Sequence, residues 1–397
     1  MAPANALPSI AQTITEQLDG EIYFEVGPLL EENWTGIPVA AAGLARELLT
    51  ALPDRLRFFL GCEELAPQCV TDALDRETGT FLHHQFHQGQ ATIGPIHRSS
   101  PSKTTIGIYP STKSSRRLFD VECNIIHDVS TLITPHFHSL ENVLHHAEFL
   151  QDDIDSNDVT ICVSQATATD LQAYLGVPAD RLIATHNGVS WNAQHIARAE
   201  DEINFGIVEP YFLILGTREP RKNLALVIEL LDAFPELMNA HRFIFTGRLG
   251  WLQENQAIPS GLMSAISSGR IHFTGFISES DKCKLLMAAD ATIYPSFFEG
   301  FGLPVIESLS VGTPCIASCS SSIPEIGGPF CRYFDPYSVL DLYRSIEEFK
   351  TKRLGQNREF RADCRRSVAS FTWSKMAFDI LTALEPPIRR LACPGQP

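Results

Sequence analysis

The sequence predicts an α/β protein of two domains, each a parallel sheet flanked by helices, and three observations lead there. Its 397 residues exceed what one ordinary core organises and suit two domains of roughly 200 residues each. Short apolar runs alternate along the whole chain with helical patterns of roughly 10–15 residues, the signature of βαβ units. The motifs richest in Gly, Arg, Lys and Glu follow directly on apolar runs, where open parallel sheets bind ligands.

In chain order, the strand candidates of the first half are 21–26, 56–61, 124–129, 159–164 and 181–189. Its helix candidates are Ile37–Leu52 and Ala168–Leu175. The polar stretch 191–210 reads as a linker. The second half offers strands at 211–217, 241–247, 270–276, 291–296 and 314–318, separated by helices that include Asn223–Phe234, Ser278–Ala289 and Pro304–Leu309. The segment 370–384 places Trp373, Ala377, Ile380 and Leu381 on one helical face, and the tail after Pro386 is expected to be disordered. These boundaries give domains over 1–195 and 210–372 and a closing helix over 373–388.

Composition narrows the function classes. The net charge of −16 is concentrated in residues 1–200, which hold 11 Lys+Arg against 25 Asp+Glu. An acidic half argues against a nucleic-acid partner and against docking on anionic lipid through that half. No apolar run reaches the roughly 20 residues of a membrane span, and the first 20 residues lack a secretory pattern. A cytoplasmic protein is expected, with peripheral membrane contact left open. Ten scattered cysteines without a CxxC pair read as buried thiols.

Chemistry concentrates in the second half. In 296–318, SFFEGFGLPVIESLSVGTPCIAS, the glycines Gly300 and Gly302 allow close backbone approach, and Pro304 suits the first helical position. The N–H groups of Phe301, Gly302 and Leu303 then form an anion-binding helix terminus. Glu299 lies just outside that terminus and Glu307 one turn inside. They could accept hydrogen bonds from one polyhydroxylated ligand, or only favour the helix dipole and water. In GTREPRKN (216–223) a strand–helix turn carries Arg218, Arg221 and Lys222, cations suited to a pyrophosphate or merely exposed. TGRLGW adds Gly247 and Arg248.

In the first half, His127 and Asp128 end an apolar strand, suited to acid–base work, ligand binding or a structural role. Thr35 and Gly36 precede a helix, as a phosphate-facing terminus or, for Thr35, a simple cap. The histidine-rich stretch 135–149 has no companion ligands at metal spacing, so no metal is expected. GxSxG and Walker lysine motifs are absent from the sequence.

Together EGFGLPVIE, GTREPRKN, TGRLGW, IIHD…P, VSQATATDLQAYLGV (163–177), HNGV (186–189) and the late Trp373 resemble family 4 of the glycosyltransferases, in particular the bacterial mannosyltransferase-like group 1 enzymes. The resemblance implies the GT-B fold, two Rossmann-like domains whose parallel sheets face across a cleft, with the C-terminal helix crossing back to the first domain. It implies that Lys222 contacts the donor diphosphate and Glu307 the ribose hydroxyls. Glu299 and the backbone of Phe301, Gly302 and Leu303 would hold donor sugar and phosphate. Ile277 would lie against the base, His127 would reach the donor sugar, and Gly36 would lie near the diphosphate. Thr217 stands where many members carry arginine, so Arg218 or Arg248 becomes the second cation, and Val39 replaces a frequent basic residue.

The implied activity is retaining transfer of a hexose from a nucleotide-diphosphate sugar to a hydroxyl of a glycan or lipid-linked glycan, without metal or other cofactor. GDP-mannose is the first expectation and a UDP-sugar the next. A glycoside hydrolase using Glu299 and Glu307, and a non-catalytic sugar-nucleotide-binding protein, are the alternatives.

Overall fold

A computed structural model of the protein describes residues 20–96, 103–189, 191, 196, 209–216, 219–247 and 259–392. The chain divides into two compact units. Of the described residues, the first unit holds 20–132, Glu141–Gly188 and 371–392, and the second holds Ile133–Leu140 and 189–370.

The first unit is built on an eight-stranded sheet. Its strands are β1 (Gly20–Glu25), β2 (Leu56–Leu60), β3 (Glu63–Leu65), β4 (Thr92–Pro95), β5 (Thr104–Tyr109), β6 (Val121–Ile126), β7 (Val159–Cys162) and β8 (Leu182–Ala184), in the order β4-β3-β2-β1-β5-β6-β7-β8. The sheet is not wholly parallel, because β3 runs antiparallel to both β2 and β4. Three of these strands escape sequence reasoning for physical reasons. EEL (63–65) and TIGP (92–95) form a polar, Gly- and Pro-containing edge. TTIGIY (104–109) is broken by Gly107, which leaves room for the Phe119 ring.

Helices Ile37–Ala51 and Gln165–Leu175 lie where the pattern places them. The second begins three residues earlier than expected, because Ser164 caps it by accepting from Thr167 N–H. The final helix, Trp373–Ala392, joins the first unit. Trp373 lies against Gly43 and Gly188, where a Cβ would come within 2.3 Å of it, so the HNGV glycine and the late Trp are one packing unit. The helix also runs through Pro386 and Pro387, correcting the expected disorder. Ile388 is fully buried and Arg389 pairs with Glu385 at 2.6 Å, which holds the last turns despite the missing N–H donors.

The second unit carries β9 (Tyr211–Leu215), β10 (Arg242–Thr246), β11 (Ile271–Gly275), β12 (Ala291–Tyr294), β13 (Cys315–Ser318) and β14 (Cys331–Phe334). The sheet is all parallel, in the order β11-β10-β9-β12-β13-β14. β9 is apolar throughout because both faces are covered. Phe212 and Ile214 enter one core with Val227, Leu231 and Phe243, and Tyr211, Leu213 and Leu215 enter another with Leu286 and Trp191. Trp191 is thus core rather than linker, and most of the 191–210 stretch lies outside the described residues.

Burial leaves one acid at odds with its surroundings. Glu25 ends β1 at 2% exposure, and its Oε2 meets no hydrogen-bond partner. Burial raises its carboxyl to about 7, against hydrogen bonds from Ser114 and Gly27 N–H. A raised acid binds more protons folded than unfolded, so it weakens the fold as pH rises from about 4.5 to 7. Glu25→Gln is therefore expected to raise Tm at pH 8, by on the order of 1–3 kcal/mol of stability, and to change it little at pH 4.5. Thermal melts across that range check the sign.

Candidate functional site

In the second unit, β9 leads outward to β10 and β11, and the chain then returns to the other side of β9 as β12. The strand order reverses between β9 and β12, the place where open sheets bind ligands beyond their carboxyl ends. The turn after β9 carries Arg221 and Lys222, and the loop after β12 carries Glu299. The sheet topology therefore brings together two motifs that are 77 residues apart in sequence.

Their side chains form a charged cluster. Lys222 Nζ donates to Glu299 Oε1 at 2.7 Å and to the Tyr294 hydroxyl at 3.2 Å. Arg221 donates to Glu299 Oε2 at 3.0 Å and also pairs with Glu219. Glu299 is 6% exposed. Burial alone would push its carboxyl up, but Lys222 and Arg221 together outweigh that and bring it to about 2. Burial lowers the Lys222 ammonium, and Arg221 adds to the shift while Glu299 opposes it. The turn itself is fixed by Asn223, which adopts φ 54° and donates to the carbonyls of Pro295 and Pro336 at 3.0 and 2.8 Å.

Serines pin the acidic loop. Ser318 donates to Ser296 O at 2.6 Å, Ser320 to Phe297 O, and Ser321 and Ser322 to Glu299 O. The loop ends in Gly302, the N-cap of helix Leu303–Ser310, at φ 99°, a conformation that favours glycine. Pro304 occupies the second helical position rather than the first. Phe301 is buried at the helix start. Glu307, one turn in and 4% exposed, accepts from Lys282 Nζ at 2.9 Å. Lys282 also pairs with Glu279 at 2.9 Å and lies 5.4 Å from the Trp191 ring centre.

The remaining predicted residues separate clearly. Ile277, in the loop after β11, packs beside the Trp191 core cluster. Thr217, Arg218 and Arg248 lie outside the described residues. His127 and Gly36 belong to the first unit. His127 Nε2 bonds Pro110 O at 2.8 Å. A carbonyl can only accept, so that nitrogen carries the proton. Burial lowers the ring's pKa, against the Pro110 bond and Asp128. Asp128 accepts from Ser130 N–H and hydroxyl, so it organises its own turn. Gly36, at φ 58°, is the N-cap of helix Ile37–Ala51, which shows no side-chain cap, so Thr35 does not serve as one. In the histidine-rich stretch His146 Nδ1 bonds the Thr131 hydroxyl at 2.8 Å. Among the described residues no group of three or more His, Cys, Asp or Glu side chains is placed to hold a metal.

Sequence reasoning did not place Tyr294, Asn223, Lys282 or the serines of 318–322 in the site. The run CSSS directly after a strand was the one legible signal, since short hydroxyls at a strand end commonly satisfy loop carbonyls.

This switch-point domain has known counterparts. Residues 198–368 match the family of glycosyl transferases group 1. The second half of the chain is a group 1 glycosyltransferase domain. O-antigen chain mannosyltransferase B of Escherichia coli is 29% identical over 220 residues, 54% of this chain and 57% of the relative. MMP alpha-(1->4)-mannosyltransferase of Mycolicibacterium hassiacum is 31% identical over 130 residues, 31% of this chain and 30% of the relative. The chain thus spans little more than half the length of the curated relatives it matches, or less. Among solved structures, WaaG, a glycosyltransferase involved in lipopolysaccharide biosynthesis, superposes with TM-score 0.61 at 14% identity, covering 91% of this chain and 99% of that one. Anabaena Alr3699/HepE in complex with UDP and glucose gives 0.60 at 14%, covering 94% and 99%. These show the GT-B fold, two α/β units built on largely parallel sheets.

The geometry of this glycosyltransferase domain changes what Glu299→Gln should do. Keeping shape and removing charge would be harmless at a solvated position, but here it leaves the partly buried Lys222 without its counter-ion and Arg221 with only Glu219. The variant is expected to lose on the order of 1–3 kcal/mol of stability. Added phosphate should then raise its Tm more than it raises that of the wild type. Equal melting of the two proteins would contradict the ion cluster.

Proposed function

We propose that this glycosyltransferase moves a hexose from a nucleoside-diphosphate sugar to a hydroxyl of a glycan or glycolipid acceptor, with retention at the anomeric carbon. GDP-mannose is the donor proposed first. The observation that carries this is the Lys222–Arg221–Glu299 cluster at the switch point of a group 1 domain. It presents cations where a diphosphate can dock, beside the start of helix Leu303–Ser310. Mannose, and a place in bacterial surface polysaccharide assembly in the cytoplasm, are supported by the relatives whose names specify mannosyl transfer and O-antigen synthesis.

In the proposed reaction the bond from anomeric carbon to phosphate oxygen breaks, and a bond to the acceptor oxygen forms on the same face. The acceptor's proton passes to the departing phosphate. The protein then needs no carboxylate nucleophile, and its task is to hold the donor and stabilise charge on the leaving diphosphate through Lys222 and the backbone at Phe301–Leu303. Glu307 takes the ribose hydroxyls and Ile277 the base. For Gly36 and His127, in the first unit, the proposed donor roles rest on the motif resemblance alone. The same geometry disfavours a glycoside hydrolase. Both oxygens of Glu299 are occupied by cations, and a carboxyl held at about 2 has no proton to give.

Lys222→Ala is expected to weaken donor binding roughly 10- to 100-fold, the loss of a charge-assisted contact, and to lower turnover as well. Calorimetric titration with GDP-mannose and UDP-glucose, paired with a transfer assay, measures both; unchanged affinity and rate would remove Lys222 from the site. With lysine and backbone N–H groups serving the diphosphate, transfer should persist in EDTA. Complete loss that added divalent metal restores would overturn this phosphate chemistry.

A further inference from the structure

We propose that Lys282 is a positioning residue for the nucleotide: it holds Glu307 as an oriented carboxylate so that the acid can accept hydrogen bonds from the ribose diol. This rests on the donor site proposed above. Neither turn motif includes Lys282, which comes from helix Glu279–Ala288 and reaches across to helix Leu303–Ser310.

The physical need comes from burial. A ribose diol donates two O–H groups and is best met by an ionised carboxylate with acceptor capacity on both oxygens. Glu307 is 4% exposed, and burial favours its neutral form, which would turn one oxygen into a donor. Lys282 opposes this with a full charge and an Nζ–H bond to Oε1 at 2.9 Å, and so limits a rise that burial and Glu279 still leave above the ordinary carboxylate value. Oε2 and the remaining capacity of Oε1 are then the acceptors the diol would use. Lys282 is itself held by Glu279 at 2.9 Å and lies over the Trp191 ring, whose Nε1 is buried without a hydrogen-bond partner. One ammonium is thus gripped between two carboxylates and an aromatic face, which fixes its reach.

Other charges near Glu307 do not replace it. Glu279 pushes the Glu307 carboxyl up, in the same direction as burial, and the Cys283 thiol, its own pKa raised, is neutral and could only add negative charge if it ionised. On the neighbouring helix Arg358–Ser367, Arg361 is engaged with the carbonyls of Met287 and Ala289 and Arg365 with that of Val311. Glu325, on helix Ile323–Gly327, has the same sign as Glu307. Among the described residues, removing the Lys282 charge therefore leaves a buried acid with an acidic neighbour and no other cation placed to keep it ionised.

The experiment compares Lys282→Met, Lys282→Arg and Glu307→Gln with wild type by calorimetric titration with GDP and with UDP from pH 6 to 8, each variant first shown to melt cooperatively. The ratio to wild type at each pH removes the titration of the nucleotide phosphate. For Lys282→Met the affinity ratio is expected to fall as pH falls, approaching tenfold per pH unit once the Glu307 carboxyl protonates. Lys282→Arg should restore a flat ratio, and Glu307→Gln should bind weakly at every pH. If Lys282→Met binds like wild type across the range while Glu307→Gln does not, Lys282 has no positioning role and the donor site stands. A pH-independent loss in Lys282→Met that arginine fails to restore marks ordinary packing and overturns the proposal. If Glu307→Gln binds like wild type, the ribose assignment fails and Lys282 falls with it.

Discussion

A single buried carboxylate ties the second unit's chemistry together. Glu299 accepts from Lys222 and Arg221 at once, and so joins the turn after β9 to the loop after β12. Each turn alone would place like charges or bare carbonyls at a strand end. Joined, they make a compact charged surface whose ammonium and guanidinium are held in place by a group that remains ionised to about pH 2. The parallel register of β9 and β12 is what allows it, since Ile214 pairs with Ile293 and both strands end on the same side of the sheet.

The supporting shell is mostly neutral hydrogen bonding. Asn223 bridges two loops by donating to Pro295 and Pro336, and three consecutive serines, 320–322, hold the carbonyls of Phe297 and Glu299. Such contacts fix backbone without adding charge. Among the described residues, the charges at the site are those of Lys222, Arg221, Glu219 and Glu299 on one side of the helix start and of Glu307, Lys282 and Glu279 beyond it. The second unit thus carries two separate charged groups of residues, one on each side of one helix start.

Much of this was legible in the sequence, and the reasons for the gaps are physical. β9, β12 and β13 announce themselves because strands buried on both faces are continuously apolar. EGFGLP announces a helix start because Gly302 and Pro304 have few other uses at that spacing. The edge strands β4 and β14, and β3 beside β4, stay hidden, since marginal positions let them carry Pro, Arg and Glu. Lys222, Glu299 and Glu307 could be named from motif and resemblance. That Glu299 would turn its carboxylate onto Lys222, and that Glu307 would meet Lys282, could not: both pairs span helices or strands far apart in sequence, and register along a sheet is invisible in a linear pattern. Trp191 misled because a lone aromatic in a polar stretch reads as linker until its burial is seen.

If Glu299 serves the donor by holding Lys222, the two residues act as one unit. The direct test is a double-mutant cycle on donor binding with Lys222→Ala, Glu299→Gln and the pair. Strong non-additivity is expected, the double variant binding the nucleotide sugar about as weakly as Lys222→Ala alone. Losses that simply add would contradict this and give Glu299 a contact with the donor that is independent of the lysine.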